Sequence, residues 1–191
     1  MEPADDHLNP ADDPALIRAF LDRRSEPAFT RLVEKYQKRV YWTVRRSVGS
    51  HEDADEITQE VFIQVYRKLD QFRGDSGFFT WLYRIVINQI RHHFRRQKPF
   101  TTSEENDLQL LRDPDGSPED HLQKKDWKEQ LDRVIQLLPP QQRLIFILRY
   151  YDELPYEEIA RQTGRSLGAC KANFFHAVQK IKGALGHENP L

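Results

Sequence analysis

The stretch Phe72–Lys98 reads FRGDSGFFTWLYRIVINQIRHHFRRQK. It opens on a glycine-bracketed loop, Arg73-Gly74-Asp75-Ser76-Gly77, and continues as a long helical pattern. Thr80, Arg84, Asn88, Arg91 and Arg95 recur at steps of four and three, so they share one polar stripe. Phe78, Leu82, Ile85 and Val86 form an apolar stripe beside it. Phe72, Phe79, Trp81 and Tyr83 crowd the loop end, and Arg91, His92, His93, Arg95, Arg96 and Lys98 the far end. Cations hold phosphates and aromatic faces take up unstacked bases, so the helix suits single-stranded or melting DNA. Taken alone, the stretch fits equally well an amphipathic helix with a solvated basic face.

The remainder of the chain sets the context. Its 191 residues suffice for one large or two small domains, and with 38% hydrophobic and 31% charged residues it is polar but foldable. The net charge of −1 gives no global attraction to DNA; the start is acidic (Glu2, Asp5, Asp6, Asp12, Asp13) and the basic block is central. One cysteine excludes an internal disulfide and fits a reducing cytoplasm. No apolar run approaches the ~20 residues of a membrane span, and the first ten residues lack the pattern of a signal peptide.

In order, residues 1–13 read as a disordered acidic tail. Pro14 opens a first helix, and Ser25–Val48 is a second, with Phe29, Leu32, Val33, Tyr36, Val40, Tyr41 and Val44 at helical spacing. Gly49-Ser50-His51 breaks it. A third helix, Asp53–Leu69, turns Ile57, Val61, Phe62, Val65 and Leu69 inward. It leaves Asp55, Gln59, Glu60, Gln64, Arg67 and Lys68 outward. Residues 99–126, rich in Pro, Gly, Ser and acids, read as a linker with room for a short helix at Asn106–Leu111. Helical period returns at Trp127, breaks at Pro139-Pro140 and resumes over Gln141–Tyr151. A short helix from Leu154, the turn at Gly164 and the N-cap Ser166 then lead into Leu167–Leu185, whose stripe is Leu167, Cys170, Phe174, Val178 and Ile181. This is the sequence form of a helix-turn-helix. Nothing alternates with period two for long, so the fold class is all-α: two small helical domains, 14–98 and 127–187, on a flexible linker.

Both halves match one pattern. Asp53-Ala54-Asp55-Glu56-Ile57-Thr58-Gln59-Glu60-Val61-Phe62, Phe72-Arg73-Gly74-Asp75-Ser76 and Thr80-Trp81-Leu82-Tyr83-Arg84-Ile85 with Asn88 occur in the first. Leu138-Pro139, Leu154-Pro155-Tyr156-Glu157-Glu158-Ile159-Ala160 and Ser166-Leu167-Gly168 occur in the second. Over residues 14–98 and 127–185 the chain resembles group 4, or extracytoplasmic function (ECF), sigma factors of bacterial RNA polymerase, within the sigma-70 family. The resemblance implies a region 2 bundle and a region 4 helix-turn-helix. It implies that the Asp53–Leu69 helix binds the β′ clamp of core polymerase, and spacing makes the outward Asp55, Gln59, Glu60 and Gln64 the candidates for that contact. For the −10 promoter strand it implies the Phe72–Gly77 loop and the Arg84/Asn88 face; with the polar stripe and aromatic end of the helix, the residues expected to contact the strand are Phe72, Arg73, Asp75, Ser76, Trp81, Arg84, Asn88, Arg91 and Arg95. The second domain would read the −35 duplex and touch the β-flap, and an anti-sigma factor would be a further partner.

In the family, the stretch Gly168–Asn173 commonly carries Thr-Val and Ser-Arg, where this chain has Ala169-Cys170 and Ala172-Asn173. The −35 sequence preference is therefore not carried over. Helical phase instead points Lys171, Ala172, Phe175, His176 and Gln179 outward, with Asn173 at the edge. Base readout is expected from Lys171, Asn173, Phe175 and His176, and backbone contacts from Arg165, Ser166 and Lys182. No catalytic residue, cofactor or membrane insertion is expected. Adjacent His92 and His93 do not form a zinc pair, and are expected near phosphate or solvent; the acids around Asp53 suit a helix start. Cys170 reads as a small buried hydrophobe. A lone helix-turn-helix regulator would leave Phe72–Lys98 unexplained; a helical adaptor with no DNA role is a second alternative, which a mobility shift with promoter DNA and core polymerase would separate.

Overall fold

Ser25 accepts a hydrogen bond from the Ala28 amide and starts a helix of 23 residues, Glu26–Val48, around which the first half of the chain is assembled. The computed structural model describes residues 12–97 and 123–185. The helices are α1 (Asp13–Arg23), α2 (Glu26–Val48), α3 (His51–Lys68), α4 (Phe78–Gln97), α5 (Gln123–Leu137), α6 (Pro140–Tyr150), α7 (Tyr156–Thr163) and α8 (Leu167–Leu185). A 3-10 turn, Leu69–Gln71, follows α3, and the described residues contain no strand. The chain divides into two compact units, Met1–Arg96 and Gln97–Leu191. The two-part helical architecture read from the sequence is thus present.

In the first unit, Leu32, Tyr36, Val40 and Val44 of α2 are buried with Ala54, Ile57, Val61 and Val65 of α3 and Leu82, Val86, Ile87 and Ile90 of α4. Each of the buried Leu, Ile and Val side chains contributes about 1.5–3 kcal/mol by leaving water. Gly49 ends α2 in the left-handed region at φ 83°, and Ser50 caps α3 by accepting from the Asp53 amide. α3 therefore starts at His51, two residues earlier than the sequence suggested.

Asp13, read as part of the tail, instead belongs to α1 and is only 3% exposed. Its carboxylate pairs with Lys35 and accepts from the Tyr36 hydroxyl at 2.5 Å. Such a pair offsets the cost of burying the charge and fastens α1 to α2. Burial, and then the bond to Asp13, push the Tyr36 phenol well above its ordinary pKa. Tyr83 is likewise core, 1% exposed, with its hydroxyl 3.0 Å from Thr43 Oγ1. It does not offer the open aromatic face expected of it.

In the second unit, α5 begins at Gln123, so Gln123–Asp126 are helical and not linker. The expected helix at Asn106–Leu111 and the tail up to residue 11 lie outside the described residues. Leu131, Ile135, Leu138, Phe146, Ile147, Ala177 and Ile181 form the core. Leu144 to Leu148 are all buried; at about 100° per residue they cover the whole circumference of α6. Arg143 donates to the carbonyls of Gln136 and Leu138, which close α5, and to Gln136 Oε1 at 2.8 Å. Burial pushes its pKa down to about 10, still charged at neutral pH. Leu167, expected on the buried stripe, stands exposed in the first turn of α8.

Candidate nucleic-acid interface

After α3 the chain tightens, the Phe72 amide donating to the Leu69 carbonyl at 3.2 Å. Gly74 takes φ 77°, a left-handed conformation that costs glycine little. The Gly77 carbonyl accepts from the Trp81 amide at 3.2 Å, and α4 begins. This folding gathers aromatic rings: Phe72 lies 5.6 Å from Trp81 and 5.9 Å from Phe78, and Phe78 lies 5.9 Å from Trp81. Phe72 and Trp81 stay half-exposed while Phe78 is buried. Arg73 and Asp75 are exposed and Ser76 is half-buried.

Beyond Trp81, α4 presents Arg84, Asn88, Arg91 and Arg95 on its exposed side, with Thr80 half-buried. An exposed basic row thus leads to an aromatic pair within one element. Phe79 is occupied otherwise: its ring lies 4.2 Å from Tyr83, with the Arg39 guanidinium 4.4 Å above it. His93 turns partly inward, its Nε2 3.9 Å from Asp53 Oδ2, so it joins α4 to the start of α3; His92 stays exposed. The expectation that both histidines face solvent or phosphate thus fits His92 alone.

On α3, Asp55 and Gln59 are exposed, while Glu60 and Gln64 are half-buried and bonded to each other at 2.7 Å. Ile63, 42% exposed, sits among them and belonged to neither face of the sequence reading. Its place four residues after Gln59 and three after Glu60 was the signal. Tyr66 is also partly exposed, with edge contacts of 5.1 Å to Phe20 and Phe29.

A cleft of about 520 Å3 lies between the loop and α1. Ile17, Arg18 and Leu21 form one wall, and Phe72, Gly74 and Phe78 the other. α1 played no part in the site read from the sequence. Spacings of three and four among Pro14, Ile17, Arg18, Leu21 and Asp22 marked a shared face, but not what it would meet.

In the second unit, Gly164 ends α7 at φ 68°, and Ser166 Oγ accepts from the Ala169 amide at 3.1 Å to begin α8. Lys171, Phe175 and His176 project on the exposed side, Phe175 being 58% exposed and 5.8 Å from the His176 ring. Ser166 is exposed; Arg165 and Lys182 are half-buried. Asn173 is half-buried and its amide donates to the Ala169 carbonyl at 2.8 Å, so it is tied to its own helix. Cys170 is fully buried, its Sγ 4.0 Å from Thr163 Oγ1. Among the described residues no three His, Cys, Asp or Glu side chains are grouped to hold a metal, and no helix is long and apolar enough to cross a membrane.

Comparison with known proteins matches both units to one family. Residues 32–100 match the family Sigma-70 region 2, and residues 128–181 match Sigma-70, region 4. The chain is 34% identical over 174 residues to the RNA polymerase sigma-H factor of Pseudomonas aeruginosa, covering 86% of this chain and 90% of that one. It is 34% identical over 169 residues to the ECF RNA polymerase sigma-E factor of Escherichia coli K12, covering 84% and 88%. The chain belongs to the ECF sigma factors. Members of this family direct RNA polymerase to promoters, and so does this sigma factor. Two solved structures share its fold. CnrH, in complex with the cytosolic domain of CnrY, is 20% identical with a TM-score of 0.66, covering 94% of this chain and 99% of that one. RpoE of Bartonella quintana, in complex with the anti-sigma factor NepR, is 18% identical with a TM-score of 0.63, covering 84% and 98%.

Proposed function

We propose that this sigma factor holds core polymerase through the polar face of α3, captures the −10 non-template strand on the Phe72–Gly77 loop and α4, and reads the −35 duplex with α8. The observation that carries the reading is the exposed row Arg84, Asn88, Arg91 and Arg95 leading to the half-exposed pair Phe72 and Trp81. The cations neutralise phosphates. Stacking a base on an aromatic ring is worth about 1–3 kcal/mol. Unstacking it from duplex costs a few kcal/mol, so capture offsets a sizeable part of melting. Arg73, Asp75 and Ser76 contact the strand from the loop.

On α3, Asp55, Gln59, Glu60 and Gln64 meet the β′ clamp, with Ile63 adding apolar contact at the centre. In the second unit, Lys171, Asn173, Phe175 and His176 contact base edges in the major groove, and Arg165, Ser166 and Lys182 contact the backbone. The β-flap docks on this unit as well. The protein acts by binding and makes or breaks no covalent bond, so it is not an enzyme and its residues require no cofactor. It works in the cytoplasm, and an anti-sigma factor of the kind seen with its structural neighbours masks these surfaces. Run-off transcription with core polymerase on a genomic promoter library tests the reading. Promoter-specific initiation is expected; failure to bind core polymerase at low salt would sink it.

A further inference from the structure

Asp13 and Tyr36 stand between α1 and the aromatic cluster of the loop, and neither has a part in promoter binding as described so far. We infer that Asp13 is a positioning residue for the promoter-strand surface: it acts through the Tyr36 hydroxyl and the Phe78 ring to set where Phe72 and Trp81 stand, and touches no DNA itself. This rests on the strand-capture reading and extends it to a buried group on another helix.

The path from Asp13 to the surface is continuous. Its side chain, 5% exposed, pairs with Lys35 and accepts from the Tyr36 hydroxyl at 2.5 Å. Lys35 and Tyr36 are neighbours on α2, about 100° apart around its axis, so one carboxylate holding both fixes the first turn of α1 at one place on α2. The buried Tyr36 ring lies 5.4 Å from Phe78 and 6.2 Å from Phe79, the first two residues of α4. Phe78 lies 5.9 Å from Phe72 and 5.9 Å from Trp81. Tyr36 is therefore the inner support of a cluster whose outer rings are half-exposed.

Stability alone does not account for the buried carboxylate, because replacing a buried ion pair by well-packed apolar residues is often neutral or stabilising. What the carboxylate adds is direction. Apolar contact is non-directional, whereas a hydrogen bond weakens steeply when bent. Burial, and then the bond to Asp13, push the Tyr36 phenol above its ordinary pKa, so the hydroxyl remains a donor at neutral pH and well above it.

The test uses the full chain and has two readouts, taken where circular dichroism shows every variant folded. The first is acrylamide quenching of Trp81 fluorescence, with Trp42→Phe and Trp127→Phe leaving it the one tryptophan. The second is affinity, in complex with core polymerase, for a forked promoter whose −10 non-template strand is single-stranded. Tyr36→Phe keeps the ring and the Asp13–Lys35 pair and removes only the hydroxyl. It is expected to change the quenching and to weaken the fork several-fold, with core affinity unchanged. Asp13→Asn is expected to do the same, and adding Tyr36→Phe to it to cost nothing more. Lys35→Met, which spares the hydroxyl bond, is expected to lower stability but keep wild-type quenching. Wild-type quenching in Tyr36→Phe and Asp13→Asn would overturn the inference, as would altered quenching with wild-type fork affinity, provided Phe72→Ala still weakens the fork. A silent Phe72→Ala would overturn strand capture by the loop, and this inference with it.

Discussion

The ring of Phe72 lies 5.6 Å from that of Trp81, across the turn that begins α4. The loop and the helix therefore share one aromatic cluster with the buried Phe78, and the loop is shaped by packing as well as by its glycines. Aromatic pairs of this kind contribute about 0.5–1.5 kcal/mol beyond their buried area. A double-mutant cycle of Phe72→Ala and Trp81→Ala, read by urea unfolding, is expected to give a coupling in that range. Additive effects would mean the two rings act separately.

Asn88 is exposed on the basic row of α4. Asn88→Ala should change stability by no more than about 0.5 kcal/mol. Initiation should fall on duplex promoters and much less on pre-melted ones. Equal loss on both templates would assign Asn88 to base readout and remove it from melting.

Replacing Gln59 and Glu60 together by alanine removes one half-buried hydrogen bond, from Gln64 to Glu60. That costs about 0.5–1.5 kcal/mol of stability, whereas core-polymerase binding should weaken by more than about 1 kcal/mol. Ile63→Ser should weaken it further. A large drop in melting temperature with unchanged core affinity would make this face structural.

Selection of −35 sequences by wild type, Asn173→Ala and Lys182→Ala separates readout from positioning. Asn173→Ala should relax one base position by about 1–3 kcal/mol of discrimination. The Asn173 amide is held by the Ala169 carbonyl, so it must release that bond to pair with a base. Lys182→Ala should weaken all sequences alike. An unchanged selection in Asn173→Ala would mean the amide serves only its helix.

Cys170 is fully buried. Cys170→Val, a swap of similar volume, should cost under about 1.5 kcal/mol and preserve activity in reducing and oxidising conditions alike. A lost response to peroxide in the variant would restore a redox role.

The periodic parts of this chain were legible because helix period and capping agree locally. The outward residues of α3 and the Gly164–Ser166 turn follow from spacing and residue type alone. Residues whose type suits two environments were not: Tyr83 is aromatic wherever it lies, and only its meeting with Thr43, 40 positions away, makes it core. Asp13 looked like tail because it continues an acidic run, until Lys35 and Tyr36 surround it. The α1 wall of the cleft stayed hidden for a related reason. Local spacing defines a face, but the partner of that face is set by the fold.

The encasement of α6 has a kinetic consequence. With Leu144 to Leu148 buried on every side, no single neighbouring helix can peel away and bare its backbone. The amide protons of this segment can exchange with solvent only when the whole second unit opens. Their exchange rate is expected to gauge that unit's stability.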